Sequence, residues 1–288
     1  APVPLYAVQG ARGCGAGYSV NLMRTLSINL RLFIQGTILS YIALFNWVRP
    51  ITYAASMIVM PLAQILFFVF LGSYATNGGN TDFYVVGNAM QIASVSGIFG
   101  VTMSIGNDRW LGTLPYVFGS PANRVTLFFG RAFMHIINGA IGVVIAFMWG
   151  VLLLGLDLST TNLPALGLTI LVTTFSTCAL GLLMGCLSLI TANVMFVNNT
   201  VYFLLLIFSG ANIAIDKLAP WMQVISNILP LTRGIAASRA LVAGADLHAV
   251  APLLWQEVGI GVIYGIVGYI LFAAFEVIAK RRGTLEIV

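Results

Sequence analysis

Residues 125–154 read VTLFFGRAFMHIINGAIGVVIAFMWGVLLL, and Arg131 is the only Asp, Glu, Lys or Arg among them. At a rise of ~1.5 Å per residue, a helix of this length exceeds the ~30 Å hydrocarbon core of a bilayer. In lipid, only a helix satisfies every backbone group within one segment. The run therefore predicts a membrane-spanning helix.

The composition of the whole chain agrees with a membrane protein. Of its 288 residues, 59% are hydrophobic and 7% are charged, whereas soluble domains carry roughly a quarter charged residues. The basic residues flank apolar segments without forming a stripe, so membrane lipid is an expected partner and nucleic acid is not. Cys14, Cys178 and Cys186 lack metal or disulfide spacing. We expect no metal site, and we expect Cys178 and Cys186 to be small buried apolar groups.

Five further segments are long and apolar enough to cross a bilayer, so we predict an all-α integral membrane protein with a six-span domain over residues 50–282. The six predicted spans are Ile51 to Leu71, Phe83 to Gly106, Val125 to Leu154, Leu163 to Leu189, Val194 to Ile213 and Leu253 to Ala279. Small residues recur four apart in several spans, as at Gly181 and Gly185, and this spacing favours close helix packing.

The segments outside the spans have their own expectations. Residues 1–22 are rich in Gly and Ala without periodicity, and we expect a disordered or non-native leader there. Within residues 23–49, the stretch Leu26 to Val48 is apolar but interrupted by polar groups, with Arg24 before it and Arg49 after it. A helix lying in the membrane interface costs less than a span that leaves Arg49 outside, so an amphipathic interface helix is predicted.

The distribution of Lys and Arg predicts the orientation. Of the 13 Lys and Arg residues, only Lys217, Arg233 and Arg239 fall outside when both termini are cytoplasmic. This asymmetry matches the positive-inside rule. We expect a multi-pass protein of a bacterial or archaeal-type plasma membrane, with residues 283–288 as a cytoplasmic tail.

Residues 214–245 are too polar for a span and too apolar for an ordinary loop. Pro220 can open one short helix and Pro230 can end it, and a second helix is expected from Thr232 to about Ala243. We predict two short re-entrant helices at the outer boundary before the last span. They are either an interfacial cap or an outer gate, and the candidate gate residues are Trp221, Pro230, Arg233 and Arg239.

The connector between the second and third spans, residues 107–124, reads NDRWLGTLPYVFGSPANR. It is cytoplasmic by the charge argument and combines an acidic–basic pair, a helix broken near Pro115, and the aromatic residues Trp110, Tyr116 and Phe118. A solvated loop has no reason to expose three aromatics. The connector is therefore expected to be a docking surface for a soluble partner or a helix lying on the membrane.

The connector resembles that of the type-2 ABC exporter permeases, in which an acidic–Arg pair precedes Gly-Thr, Ser-Pro, a basic residue and Gly-Arg. The matching residues here are Asp108-Arg109, Gly112-Thr113, Ser120-Pro121, Arg124 and Gly130-Arg131. A second match runs from Ser209-Gly210 through Leu218–Trp221 and Leu229–Arg233 to Ser238-Arg239. The resemblance covers residues 24–282. It departs at Asp108, where Glu is usual, and at Trp110, where a charged residue is common.

The resemblance implies that residues 108–123 form a coupling helix that binds a separate ABC ATPase. The implied coupling residues are Asp108, Arg109, Trp110, Leu111, Gly112, Thr113, Leu114, Ser120, Pro121 and Arg124. The sequence has no G-x-x-x-x-G-K-[ST] phosphate loop. We therefore expect the chain not to be an enzyme by itself and to carry no cofactor, with ATP and Mg on the partner ATPase. A second permease copy or a paralogue is the other implied partner.

The resemblance also implies that the second and fifth spans face the partner permease and form the translocation path. Its candidate residues are Asn88, Gln91, Ser94, Thr102, Asn198, Asn199, Tyr202, Ser209 and Asn212. His135 and Asn138 share one face of the third span, where they are either functional or bonded to a neighbouring helix. Glu257 and Glu276 lie near opposite ends of the predicted last span, and we expect both at the interface.

These features favour the permease subunit of an ATP-driven exporter that moves an amphipathic or hydrophobic substrate outward by alternating access. Few full charges occur among the path residues, so a large amphipathic or apolar cargo fits better than a small ion. Among such cargoes of the family, a drug or antibiotic is the favoured expectation. Lipid or polysaccharide export by the same family is one alternative. An ion- or proton-coupled secondary transporter is another, although it normally needs titratable groups near the membrane midplane.

Overall fold

The computed structural model describes residues 29–38, 50–110, 112–119, 123–188 and 193–282, and every regular element within these ranges is helical. Five helices are long and apolar enough to cross a membrane. They cover Ile51–Ala75, Thr81–Gly106, Val125–Leu154, Leu163–Ser188 and Leu247–Ile278. The all-α prediction is confirmed for this part of the chain, which is a multi-pass membrane protein.

The elements follow one another with short connections. In chain order they are α1 (29–38), α2 (Pro50–Ala75), α3 (Thr81–Ser94), a π-helix (Val95–Val101), α4 (Thr102–Trp110), α5 (Leu114–Gly119), α6 (Arg124–Leu154), α7 (Leu163–Ser188), α8 (Val194–Phe208), a 3-10 turn (Ile215–Lys217), α9 (Pro220–Ile228), α10 (Thr232–Val242) and α11 (Leu247–Arg282).

Two predicted spans differ from their observed helices. The fifth predicted span, Val194 to Ile213, contains a helix of 15 residues that ends at Phe208. At about 22 Å this helix is shorter than the hydrocarbon core, so a sixth span stays a prediction. The last helix starts at Leu247 and not at Leu253, and it continues through Pro252 in its second turn.

The helix α1 packs against the beginning of α6. The hydroxyl of Thr37 donates to the carbonyl oxygen of Gly130 at 3.1 Å, and the ring of Phe33 lies edge-on to Phe133 with centroids 5.4 Å apart. This contact places part of the predicted interface helix beside the third predicted span. Its position relative to the membrane stays a prediction, and the rest of residues 23–49, with residues 1–22 and 283–288, lies outside the described residues.

The centre of the bundle is α7, which packs against α3, the π-helix, α4, α6, α10 and α11. Its closest contact is with the π-helix. A Cβ atom on Gly181 would lie 1.9 Å from the carbonyl oxygen of Gly97, and one on Gly185 would lie 2.5 Å from Ile105. The predicted small-residue spacing therefore does bring two backbones together, as lipid-embedded helices require for close packing.

The hydroxyl groups of α7 are buried but satisfied within the helix. The side chains of Thr169, Thr173 and Thr174 each donate to the carbonyl oxygen four residues earlier, at 2.7–2.9 Å. Thr177 donates in addition to the carbonyl oxygen of Ala93 in α3, at 3.3 Å. Since these small groups need few outside partners, neighbouring helices can approach α7 closely.

The long helix α11 covers another side of α7. A Cβ atom on Gly261 would lie 3.0 Å from the Cα of Ser176, and the thiol of Cys186 donates to the carbonyl oxygen of Gly268 at 3.1 Å. Cys178 and Cys186 are both buried among apolar groups. The expectation that they are small core residues is confirmed.

The contact between Gly181 and Gly97 generates a first prediction. Gly181→Ala forces backbone separation at the centre of the bundle and should lower the free energy of unfolding by about 1–3 kcal/mol. The matched control on the same helix is Gly167→Ala, because no neighbouring atom lies within 4 Å of a Cβ at that position. Thermal unfolding of the purified chain in detergent checks both. Equal stability of the two variants would contradict the role of this contact.

Candidate functional site

The connector joins α4 to α6 through a sharp turn and one short helix. Gly112 adopts φ +66°, a left-handed conformation that favours glycine. The helix break therefore falls at Gly112 and not at Pro115, which lies in the first turn of α5, where a missing N–H costs little. The Oδ1 atom of Asn123 then accepts from the backbone N–H groups of Val125 and Thr126, at 3.0 and 3.4 Å, and caps α6.

The predicted coupling residues are only partly described. The backbone of Asp108, Arg109 and Trp110 is helical at the end of α4, and that of Leu114 and Arg124 at the starts of α5 and α6. Gly112 is exposed and Thr113 is half-buried. Leu111, Ser120 and Pro121 lie outside the described residues. Among the connector aromatics, Tyr116 is 80% exposed. Their role in coupling stays a prediction.

Five of the nine predicted path residues form one polar cluster between α3 and the end of α8, namely Asn88, Gln91, Ser94, Ser209 and Asn212. Asn88 Nδ2 donates to Asn212 Oδ1 at 2.9 Å. Ser209 Oγ donates to Gln91 Oε1 at 3.2 Å, and Gln91 Nε2 donates to Ser94 Oγ at 3.1 Å. Four of the five are fully buried inside the single chain, with Asn212 half-buried. In this conformation the cluster joins two helices.

The other four path residues are separate from that cluster. Thr102 donates to the carbonyl oxygen of Gly181 in α7, and Tyr202 donates to Gln64 Oε1 in α2, both at 3.2 Å. Asn199 is exposed. Asn198 is fully buried, and within the described ranges neither its Nδ2 nor its Oδ1 has a hydrogen-bond partner.

The two predicted outer helices are present as α9 and α10. Pro220 is the first residue of α9, as the sequence predicts. Trp221, Val224 and Ile228 of α9 are about 60% exposed, whereas Ser226 is buried, so the apolar face of this helix points away from the chain. Pro230 is buried between the two helices. Their depth in a membrane and their role as a gate stay predictions.

Arg239 of α10 holds the beginning of α3 and the end of α8 together. Its guanidinium donates to the carbonyl oxygens of Gly210, Ala211 and Phe83 at 2.8–2.9 Å and lies 3.4 Å from the centroid of the Phe83 ring. Burial lowers the pKa of Arg239 to about 9, which leaves it charged at neutral pH. Charge-assisted bonds to three carbonyls offset part of that desolvation cost.

Arg233 joins α10 to its neighbours in a similar manner. Its Nη2 atom donates to the carbonyl oxygen of Asn227 in α9 at 2.6 Å, and its Nε atom donates to Gln256 Oε1 in α11 at 3.1 Å. The two arginines predicted for the outer gate therefore attach α10 to α3, α8, α9 and α11.

Glu257 is shielded from water, which differs from the accessible carboxylate expected near the end of the last span, and its depth in a membrane stays a prediction. It is fully buried, roughly three turns into α11, because that helix starts before the predicted position. Its Oε1 atom accepts from the hydroxyl of Ser176 in α7 and, at 2.6 Å, from the backbone N–H of Leu231. Leu231 adopts φ +80° immediately before α10, which is costly for a branched residue.

The carboxyl of Glu257 therefore binds the strained residue that starts α10, and Arg233 supplies positive charge nearby. The sequence contains one signal for this arrangement, an acidic residue within an apolar helix. Its partner is a backbone N–H more than twenty residues earlier, which no side-chain pattern marks. His, Cys, Asp and Glu residues form no group suited to a metal ion within the described part of the chain.

These observations define a helical, multi-pass membrane protein with polar groups buried between its helices. The sequence profile of the ABC-2 type transporter family matches residues 34–242. This match covers most of the chain, which belongs to that family and contains its membrane domain. A comparison with curated proteins finds no significant match.

Glu257 generates a second prediction. Glu257→Leu leaves the N–H of Leu231 buried without an acceptor and should lower the free energy of unfolding by about 1–3 kcal/mol. Glu257→Gln keeps an oxygen acceptor at the same position and should lower the free energy of unfolding clearly less than Glu257→Leu. Thermal unfolding and amide hydrogen exchange at residues 231–233 measure the effect. If Gln destabilises as much as Leu, the charge of Glu257 matters more than its hydrogen bonds.

Proposed function

We propose that the chain is the permease subunit of an ATP-driven exporter, coupled to a separate ABC ATPase through the connector. Membership of the ABC-2 type transporter family is the observation that carries this proposal. The sequence lacks a phosphate loop, so ATP hydrolysis and its Mg belong to the partner. A second permease copy or paralogue completes the complex in a bacterial or archaeal-type plasma membrane, with both termini in the cytoplasm.

The geometry of the connector supports its assignment as the docking surface. The short helix α5 is separated from α4 by the turn at Gly112 and presents Tyr116 at 80% exposure. Tyrosine is enriched at the energetically dominant positions of protein interfaces. After the connector, α6 begins at the cap that Asn123 forms. A force on α5 therefore acts on the end of α4 and on the start of α6.

The cargo follows from the chemistry of the predicted path. The polar cluster consists of amides and hydroxyls without a full charge. Such groups can exchange their mutual hydrogen bonds for bonds to a passing molecule, while a small ion would need charged ligands or several carbonyls. We infer an amphipathic or hydrophobic cargo, with a drug or antibiotic favoured over a lipid or polysaccharide. Outward movement comes from ATP-driven alternation between two conformations with different affinities for ATP.

Ion- or proton-coupled transport is the rival function, and the burial of Glu257 is the observation in its favour. An intramembrane carboxyl is a functional candidate by default. However, its Oε1 atom already binds two groups that shape the start of α10. We therefore assign Glu257 to the positioning of the outer helices.

Orientation supplies a third prediction. The native cysteines are first replaced. Tyr116→Cys then places a thiol on the connector, and Tyr74→Cys places one near the end of α2, which we expect on the opposite side of the membrane. Both native side chains are at least 80% exposed. In intact cells a membrane-impermeant maleimide should label position 74 and spare position 116, and permeabilisation should expose both. Labelling of position 116 in intact cells would contradict the proposed docking side.

Coupling supplies a fourth prediction. Tyr116→Ala should weaken binding of the partner ABC ATPase about tenfold, because an exposed interface aromatic commonly contributes 1–2 kcal/mol or more. Tyr74→Ala is the matched control, since it removes a similarly exposed tyrosine near the end of α2, away from the connector. ATPase titration into vesicles that contain the chain measures the affinity. The same vesicles report ATP-dependent dye or antibiotic uptake.

Two results would overturn the proposal. Transport that continues unchanged without the ATPase would remove the energy source that we assign. Transport that a protonophore abolishes at constant ATP would favour the ion-coupled rival.

A further inference from the structure

A cavity of about 200 Å³ lies beside the polar cluster, bounded by α2, the π-helix and α6. Most of its wall is apolar, with Met57, Met60 and Phe99 among the lining residues. Ser56 and Met60 are exposed, so the cavity opens at the surface of the membrane-spanning bundle. Charged side chains do not occur in the described lining. The cavity is thus a lateral pocket suited to an uncharged molecule.

The inner end of the cavity is polar. Tyr53 donates its hydroxyl hydrogen bond to Asn138 Oδ1, and Asn138 Nδ2 donates to Ser96 Oγ at 3.3 Å. Ser96 in turn donates to the backbone carbonyl oxygen of His135 at 2.8 Å. These bonds occupy the hydroxyl donors of Ser96 and Tyr53 and hold the side chains of the inner wall in place.

His135 is the exception in this polar wall. Its side chain is 4% exposed, yet its Nε2 atom has no hydrogen-bond partner among the described residues. The imidazole lies directly against Gly100, where a Cβ atom would come within 2.4 Å of Nδ1. A glycine in the π-helix therefore makes room for this ring. An unpaired buried nitrogen costs free energy unless a ligand or water satisfies it.

The π-helix is the second unusual feature of the wall. It interrupts the helix from Thr81 to Gly106, and such interruptions occur frequently at functional sites. Here its other side contacts α7 at Gly97, while Ser96, Phe99 and Gly100 face the cavity. The π-helix, Gly100 and the imidazole of His135 therefore lie together in the wall of the cavity.

We propose that this cavity binds an uncharged amphiphile, with its apolar chain along the methionines of α2 and a hydroxyl or carbonyl group hydrogen-bonded to the imidazole of His135. A cavity of about 150 Å³ holds benzene, so 200 Å³ accommodates roughly eight heavy atoms of such a molecule. The remainder of a longer chain extends through the opening. The imidazole nitrogen can donate or accept, according to its tautomer.

This inference goes beyond the proposed function, because binding is measured on the chain alone, without nucleotide or ATPase. The probe is an octanol that carries a photoactivatable diazirine on its third carbon, added to vesicles of phosphatidylethanolamine and phosphatidylglycerol that contain the full chain. Mass spectrometry should locate the label in residues 53–61 and 95–100. Met57→Trp fills the cavity and should lower that labelling about fivefold. The control Val59→Trp adds the same ring to an exposed position outside the lining and should leave labelling unchanged.

The polar contact is tested separately. His135→Phe keeps a ring against Gly100 but removes Nε2, so labelling by the octanol probe should fall about fivefold. Labelling by the corresponding diazirine octane should not change. Equal effects on both probes would overturn the assigned hydrogen bond, and equal labelling of the two tryptophan variants would overturn the site.

Two further measurements cover the remaining outcomes. If Met57→Trp does not fold, Met57→Ala enlarges the cavity and should raise labelling by a photoactivatable decanol, and no increase would overturn the proposal. Disulfide formation between Met60→Cys residues of two copies would show that protein covers the opening, which also overturns it. Displacement of the probe by a diacylglycerol, which is an uncharged membrane lipid, identifies a bilayer lipid as the source of the amphiphile. Displacement by free octanol alone identifies a small dissolved molecule.

Discussion

The contact between Gly97 and Gly181 is the constraint on which the bundle depends. In lipid, burial of apolar surface gives helices little reason to associate, so stability comes from dispersion contacts and hydrogen bonds at close range. Two glycines allow the π-helix and α7 to approach until a single methyl group would collide. The internally bonded hydroxyls of α7 extend this close packing along its length. Helices α10 and α11 then pack against the same central element.

Two buried side chains, Arg239 and Glu257, set the position of α10, and their contacts have a mechanical consequence. Arg239 binds carbonyl oxygens at the start of α3 and after the end of α8, whereas Glu257 binds the residue before α10 and a hydroxyl of α7. Movement of α10 alone would leave several of these hydrogen bonds unmade in the buried interior of the chain. Consequently α10 moves together with the ends of these helices or remains still.

The sequence predicts those features that depend on local physics. The run Val125 to Leu154 matches its observed span because length and hydropathy alone require a helix in lipid. Pro220 starts α9 because its fixed φ suits a first helical position. The burial of Glu257 depends instead on where α11 starts and on a distant backbone N–H. The π-helix and the imidazole beside Gly100 likewise arise from packing between helices, which apolar periodicity does not encode.

The connections around the connector determine how a force would spread under the proposed function. The connector is attached to the end of α4 and to the start of α6, and Arg131 of α6 donates to the carbonyl oxygen of Ser104 in α4 at 2.8 Å. Displacement of α5 therefore acts on α4 and α6 as a pair. These two helices lead to the π-helix and to His135, which both line the lateral cavity. Since the π-helix contacts α7 through Gly97 and α6 packs against both α7 and α3, a displacement that reaches these two helices acts directly on the central element of the bundle.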